Sequence, residues 1–314
     1  MFDAIKAAIR PPPPPVKEHP TIKPNIPIKT SYTANPVTIP DGFLVEDAPD
    51  TKPIEFKPIE WETTPIPENK GLYAVILENV LSPSECETLI KLAESSVPED
   101  AINARGGPNG EDPWGPALVN VGMGYEVLTP EYRNSDRIVW DSTEIANRLW
   151  ERCCKVPGLK ERLTLLEKDD KAIAGRSGRI RRGEEGKWRL VRVNERLRFL
   201  RYGKGEFFKP HCDGSYYELN DEAVIKTLFT IHIYLNDSQA EVGKDKADLV
   251  GGATTMFSSD EKRRFDVHPR AGRVLIFQHQ NILHSGDEVK AGVKFSVRTD
   301  ILYGLVRDEL KEED

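Results

Sequence analysis

Long apolar runs are missing from this sequence. No stretch approaches the ~20 consecutive apolar residues that a membrane-spanning helix requires. The opening MFDAIKAAIRPPPPPVKEH has no apolar core of signal-peptide length before five prolines intervene. A basic excess is missing too: 44 Lys and Arg face 51 Asp and Glu, giving a net charge of −7, which argues against a general nucleic-acid binder. Cysteine is scarce. Cys86, Cys153, Cys154 and Cys212 show neither CxxC nor zinc-knuckle spacing and read as reduced thiols of a reducing compartment. These absences lead us to expect a cytosolic protein, with the nucleus as the alternative, that engages neither membrane nor nucleic acid.

What is present divides unevenly along the chain. The 314 residues suffice to bury a full core, and 38% hydrophobic with 30% charged residues is a globular composition. Fifteen of the 24 prolines fall within residues 1–70, mixed with Thr, Lys, Ile and Glu in no sustained period. That segment reads as an extended, polyproline-like arm, its PPPPP either a stiff spacer or a ligand for a proline-reading partner. DGFLVEDAP and PIEFKPIEW could lie as edge strands on the domain that follows, residues 71–314.

In that domain, GLYAVILENV is a strand-like run, and LSPSECETLIKLAESS carries helix punctuation. Ser82 is placed as N-cap, Pro83 as the first helical residue and Glu85 as the capping-box partner. A second helix is expected over DSTEIANRLWERCCKV, with Asp141 as cap and Glu144 as its partner. Residues 98–135 read as a long loop rich in Gly, Pro and Asn. Residues 171–192 hold eight Lys or Arg against two Glu, either a solvated hairpin or a basic rim for an acidic substrate. From residue 194 the period becomes two: ERLRFLRYG, IKTLFTIHIYLN, GGATTMF, GRVLIFQH and KFSVRTDILYGLV are short strands without helices between them. The expected class is therefore α+β, helices first and then a sandwich or jelly roll.

One of these strands runs into FFKPHCDGSYY. Residues i and i+2 of a strand project from one face, so His211 and Asp213 could share one metal ion or merely form a polar corner. A facial triad needs one more imidazole. His19 lies in the arm and His268 in a turn, whereas His279 and His284 follow the strand GRVLIFQH, and His232 lies within another strand. Lys294 stands ten residues after His284, and Arg298 four further on along the same strand face.

In that order, RYGKGEFFKPHCDG, IYLND, GGATTMF, AGRVLIF and HSGDEVKAGVKFSVRTDILY resemble the iron(II)- and 2-oxoglutarate-dependent dioxygenases, in particular the prolyl 4-hydroxylase-like group. ENVLSPSECETLIKLAE is similar to the start of their catalytic domain, so the resemblance covers residues 71–305. It implies a double-stranded β-helix, a jelly roll of the cupin kind with packed N-terminal helices. It also implies Fe(II) bound by His211, Asp213 and His284, with 2-oxoglutarate and O2 as co-substrates and ascorbate as an accessory reductant. Lys294 holds the position of the family's cation for the far carboxylate of 2-oxoglutarate, with Arg298 as its rival. At ~4 Å and an effective dielectric of ~20 such a charge pair is worth about 4 kcal/mol before desolvation. Thr230, His232 and Tyr234 share one strand face, which the resemblance points into the barrel. Tyr234 would donate to the far carboxylate, Thr230 would line the cofactor site, and Tyr202 would stand beside the metal. Arg198, His232 and Arg298 are the expected substrate contacts. Gly251 and Gly252 read as a close strand approach or bulge, and Cys212 as a packing residue facing away from the metal.

The function implied is hydroxylation of an unactivated C–H bond, in peptidyl proline or another protein side chain, releasing succinate and CO2. The alternatives are a small-molecule, secondary-metabolite oxygenase and a non-catalytic binding protein on the same barrel. The partner is accordingly a protein, peptide or small-molecule substrate, with the 98–135 and 171–192 segments as its lids.

Overall fold

The computed structural model of the chain describes residues 22–104, 112–174, 182–183, 185–219 and 224–306. Two antiparallel sheets face each other in a double-stranded β-helix. The larger runs Glu55–Pro58, Ala74–Glu78, Val274–Gln278, Val224–Tyr234, Lys294–Val306, Arg196–Tyr202, Asp136–Asp141 and Gly115–Pro116, with Lys187–Val193 also paired to Lys294–Val306. The smaller runs Arg264–Val267, Thr254–Phe257, His284–Gly286, Phe207–His211 and Arg133–Asn134.

Strand alternation splits the core. In Val224–Tyr234, Phe229, Ile231 and Ile233 are buried on the face covered by the helices, packing with Leu89, Ile145, Leu149 and Val297. Tyr234 lies in a second cluster with Met256, Phe277 and Ile282. A third, small cluster holds Leu200, Tyr202, Leu249 and Val289.

The first helix, Pro83–Ser95, begins as its sequence dictates. Ser82 Oγ accepts from the Glu85 N–H at 3.2 Å, and Glu85 Oε2 accepts from the Ser82 N–H at 2.8 Å. Glu85 also meets the buried Arg152 of the second helix at 2.7 Å, tying the two helices together. That second helix spans Thr143–Cys154, and its cap is Ser142 rather than Asp141. Asp141 instead ends the strand Asp136–Asp141, where Arg196, its register partner, draws both carboxylate oxygens into a bidentate pair at 2.8 and 2.7 Å. A cross-strand cation outcompetes the cap role, and the helix starts one residue later.

The described parts of the expected loop, residues 98–104 and 112–135, hold regular elements, and residues 105–111 of that expected lid lie outside the described residues. Those elements are the helix Glu99–Ala104 and the strands Gly115–Pro116, Val119–Gly122, Tyr125–Val127 and Arg133–Asn134. Strands of two to four residues leave no period to read. In the basic segment, Ala172, Ile173 and Ala174 are buried in the short helix Lys171–Ala174, and Lys187–Val193 is a sheet strand. Residues 175–181 and 184, where a lid was expected, lie outside the described residues. Before residue 71, Glu55–Pro58 pairs with Ala74–Glu78, and Leu44, Trp61 and Ile66 are buried, so packing runs across residue 70. The segment DGFLVEDAP forms turns rather than a strand. Among the described residues no helix is long and apolar enough to cross a membrane.

Candidate active site

His211 ends the strand Phe207–His211, and His284 opens the adjacent strand His284–Gly286, where the two are register partners. Asp213 follows two residues later. One donor atom from each of the three lies within 4.8 Å of the other two. His211 Nε2 stands 3.6 Å from Asp213 Oδ1, and His284 Nε2 stands 3.7 Å from Oδ2. The other ring nitrogens are occupied: His211 Nδ1 meets the Lys209 carbonyl at 2.8 Å and His284 Nδ1 the Ile282 carbonyl at 3.1 Å. A carbonyl can only accept, so in the neutral rings the proton sits on Nδ1 and each Nε2 lone pair is turned toward the carboxylate.

The electrostatics keep His284 and Asp213 in their ligating forms. Burial, with the neighbouring His211, lowers His284 to about 3 and leaves it neutral. Burial works against charge on Asp213, yet Arg298, His284 and His211 together hold it well below the usual carboxylate range. Asp213 is also held mechanically. Thr230 Oγ1 donates to Oδ2 at 2.5 Å, and Arg298 Nη1 lies 2.7 Å from Oδ1. Two imidazole nitrogens and one fixed carboxylate on one side of an open pocket are the donor set of a facial triad, and they fit Fe(II) with positions left for other ligands.

Lys294 is 2% exposed and lies between two rings, with Nζ 5.2 Å from the Tyr202 centroid and 5.6 Å from that of Tyr234. Burial lowers its ammonium to about 8, opposed only by Asp287, and among the described residues it forms no ion pair. Its stem passes close to Gly252. Gly252, at φ +70°, holds a backbone conformation that favours glycine, and a Cβ there would crowd Lys294 Cδ at 3.2 Å and Val289 Cγ2 at 3.1 Å. Gly251 is tighter still, its Cβ position 2.4 Å from the Glu288 carbonyl, and the register shifts between Val250 and Gly251.

The structure distributes the remaining residues singled out from sequence. Arg298 points not at Lys294's end of the pocket but at Asp213 and, through Nη2, at Asp300, 3.0 Å away. Asp300 also receives Arg198 Nη1 at 3.1 Å. Thr230 is engaged with Asp213. Tyr202 and His232 line the pocket. His232 is half-buried, its Nε2 lacks a hydrogen-bond partner among the described residues, and burial, helped by Lys294, keeps it neutral. Tyr234 is fully buried behind the wall, and its hydroxyl donates to Thr254 Oγ1 at 2.7 Å. Thr254, not Tyr234, is what reaches the pocket surface. Cys212 is exposed rather than packed.

Sequence reading missed Arg133 and Phe208, both on the wall. Strict alternation puts Phe208 on the face opposite His211. The register shifts between them, however, and the rings stack with centroids 3.7 Å apart. Pro210, which has no N–H to give a ladder, lies in that interval and is the one local signal for the irregularity. Arg133 sits in a two-residue strand that no periodicity marks.

Residues 197–299 match the family model described as 2OG-Fe(II) oxygenase superfamily. No curated protein matches the chain. Similar solved structures include the viral collagen prolyl hydroxylase of Paramecium bursaria Chlorella virus-1 in a 2OG complex, at 20% identity over 74% of this chain and 97% of that one, TM-score 0.39. A Pseudomonas putida prolyl-4-hydroxylase shows 16% identity over 77% and 98%, TM-score 0.42. A Trichoplax adhaerens prolyl hydroxylase, in complex with a hypoxia inducible factor oxygen degradation domain peptide fragment, shows 13% over 77% and 88%, TM-score 0.42. The stretch 197–299, with its His-Asp-His centre, is thus similar to the 2OG-Fe(II) oxygenase superfamily, whose iron chemistry its donor set fits.

Proposed function

We propose that the protein is a prolyl 4-hydroxylase-like hydroxylase in which His211, Asp213 and His284 hold the iron and Lys294 receives the far carboxylate of 2-oxoglutarate. Bound there, Fe(II) with 2-oxoglutarate and O2 supplies the oxidising power to hydroxylate an unactivated C–H bond, with succinate and CO2 as co-products. The observation that carries the reading is the pairing of two features in one pocket. Three donor atoms converge within 4.8 Å, and a buried lysine without an ion-pair partner among the described residues lines the same wall.

The chain's own groups have separable tasks. The Lys209 and Ile282 carbonyls fix the tautomers of His211 and His284. Thr230 and Arg298 orient Asp213, and Arg298 keeps it ionised. Asp300 bridges Arg298 and Arg198, which takes both cations out of competition for 2-oxoglutarate and leaves that role to Lys294. Tyr202 and the Tyr234–Thr254 pair wall the lysine, and burial there strengthens its attraction for an anion. A purely binding role leaves this set of donors and cation without a use. The substrate is a peptidyl side chain on the sequence resemblance, and the experiment is direct. Protein incubated with Fe(II), 2-oxoglutarate and proline-containing peptides should release succinate and add the mass of one oxygen atom to a peptide. Asp213→Ala should do neither. Succinate release undiminished in Asp213→Ala sinks the ligand assignment.

A further inference from the structure

The pocket wall carries four cations, Arg133, Arg198, Lys294 and Arg298, and a single carboxylate, Asp213. That is a local excess of positive charge in a chain whose net charge is −7. Three of the four already have work. Arg298 and Arg198 share Asp213 and Asp300. Lys294 is assigned to 2-oxoglutarate on the reading above. Arg133 remains.

Its position is set by the backbone. Arg133 is the register partner of Phe208, and its guanidinium carbon lies 4.6 Å from the Phe208 ring centroid. Phe208 in turn stacks on the ligand His211 at 3.7 Å. The cation therefore stands one aromatic ring away from the metal centre. Among the described residues no ion pair or hydrogen bond engages its side chain, and its Nε is buried without a partner. The ring satisfies the flat face of the guanidinium, but leaves its N–H edge without a protein acceptor among the described residues. Burial pushes Arg133 down to about 10; its Nε is withdrawn from water, while the side chain as a whole is half-buried at the pocket wall. Leaving that Nε–H buried and unpaired is unfavourable, and an acceptor brought by a ligand would relieve it. A planar fork also fits an oxyanion in a way a lysine does not.

We propose that Arg133 receives a carboxylate of the primary substrate, so that the substrate is an acidic molecule held by that group beside His211. The inference rests on the proposed function and narrows it. Two sources share the chemistry: an acidic side chain of a peptide and a free organic acid.

The test uses full-length protein loaded with Mn(II) and saturated with 2-oxoglutarate, so that the Lys294 site is filled. Acetate is the probe and acetamide its neutral counterpart, read by Mn(II)-induced proton relaxation. Acetate should show saturable relaxation and acetamide none. Arg133→Met should weaken acetate binding about tenfold or more, the loss expected for a charge-assisted pair, while Arg133→Lys recovers part of it. The 2-oxoglutarate Kd of Arg133→Met should stay within about twofold of the parent, since no lost contact is shared. Displacement of acetate by an acetylated Glu-Pro amide and by hexanoate separates the two sources, the tighter competitor identifying the class. Equal relaxation by acetate and acetamide overturns the proposal. So does an acetate curve unchanged in both variants, or a parallel loss of 2-oxoglutarate binding. If the metal or 2-oxoglutarate itself fails to load, the proposed function fails instead. Acetate binding followed by calorimetry on the metal-free protein and its Arg133 variants then still decides the role of Arg133.

Discussion

Arg298 Nη1 lies 2.7 Å from Asp213 Oδ1, so the cation four residues beyond Lys294 is committed to the carboxylate of the His-Asp-His cluster. Its second amino group rests on Asp300 at 3.0 Å, and Asp300 is itself buried. The pair fixes both the charge and the direction of the one carboxylate in the triad.

Arg298→Met should therefore weaken Fe(II) binding by about 10- to 100-fold, the usual effect of losing an outer partner of a ligand. Calorimetric titration with Fe(II) under anaerobic conditions checks this. Because Thr230 still holds Oδ2, Arg298→Met combined with Thr230→Val should lose more than either alone.

Lys294→Ala should act on 2-oxoglutarate instead. Truncating one member of a buried charge pair costs about 2–5 kcal/mol, which is roughly 30- to several-thousand-fold in Kd. Arg298→Ala should raise the same Kd far less. The opposite order would exchange the two roles.

The role proposed for the same lysine predicts an alkaline limit to 2-oxoglutarate binding. Burial lowers its ammonium to about 8, so in the ligand-free protein the proton needed to attract a carboxylate is lost as pH rises through that value. The 2-oxoglutarate Kd should be flat below pH 8 and climb about tenfold per pH unit above it. Lys294→Arg, which does not titrate in this range, should flatten the climb. Kd values at several pH points on either side decide it.

The second helix offers a test of fold rather than chemistry. Ser142→Ala removes a cap hydrogen bond at 3.3 Å and should cost about 1 kcal/mol in chemical denaturation. Asp141→Ala removes only a half-exposed pair with Arg196 and should cost less, in the range of about 0–1 kcal/mol.

Where the sequence was legible, local rules operated alone. The Ser82–Glu85 box depends on four consecutive residues, and the alternation of Thr230, His232 and Tyr234 on a single long strand. His211 and Asp213 could be paired from their i, i+2 spacing, whereas His284 was set apart from the other histidines by the family resemblance. Reading failed where a neighbour in space decided. Arg196 captured Asp141 from across the sheet, and Thr254 took the Tyr234 hydroxyl. A register shift turned Phe208 toward His211. Arg133 became part of the site only through pairing with Phe208, which no property of a two-residue strand announces.

The central claim is that His211, Asp213 and His284 hold Fe(II) together with 2-oxoglutarate. The most direct measurement is an anaerobic titration of the folded protein with Fe(II) in the presence of 2-oxoglutarate, followed by visible absorption. The account predicts a weak metal-to-keto-acid charge-transfer band that saturates at one iron per chain and is absent from Asp213→Ala. No band from folded protein shown to contain iron, or an undiminished band in Asp213→Ala, would contradict it.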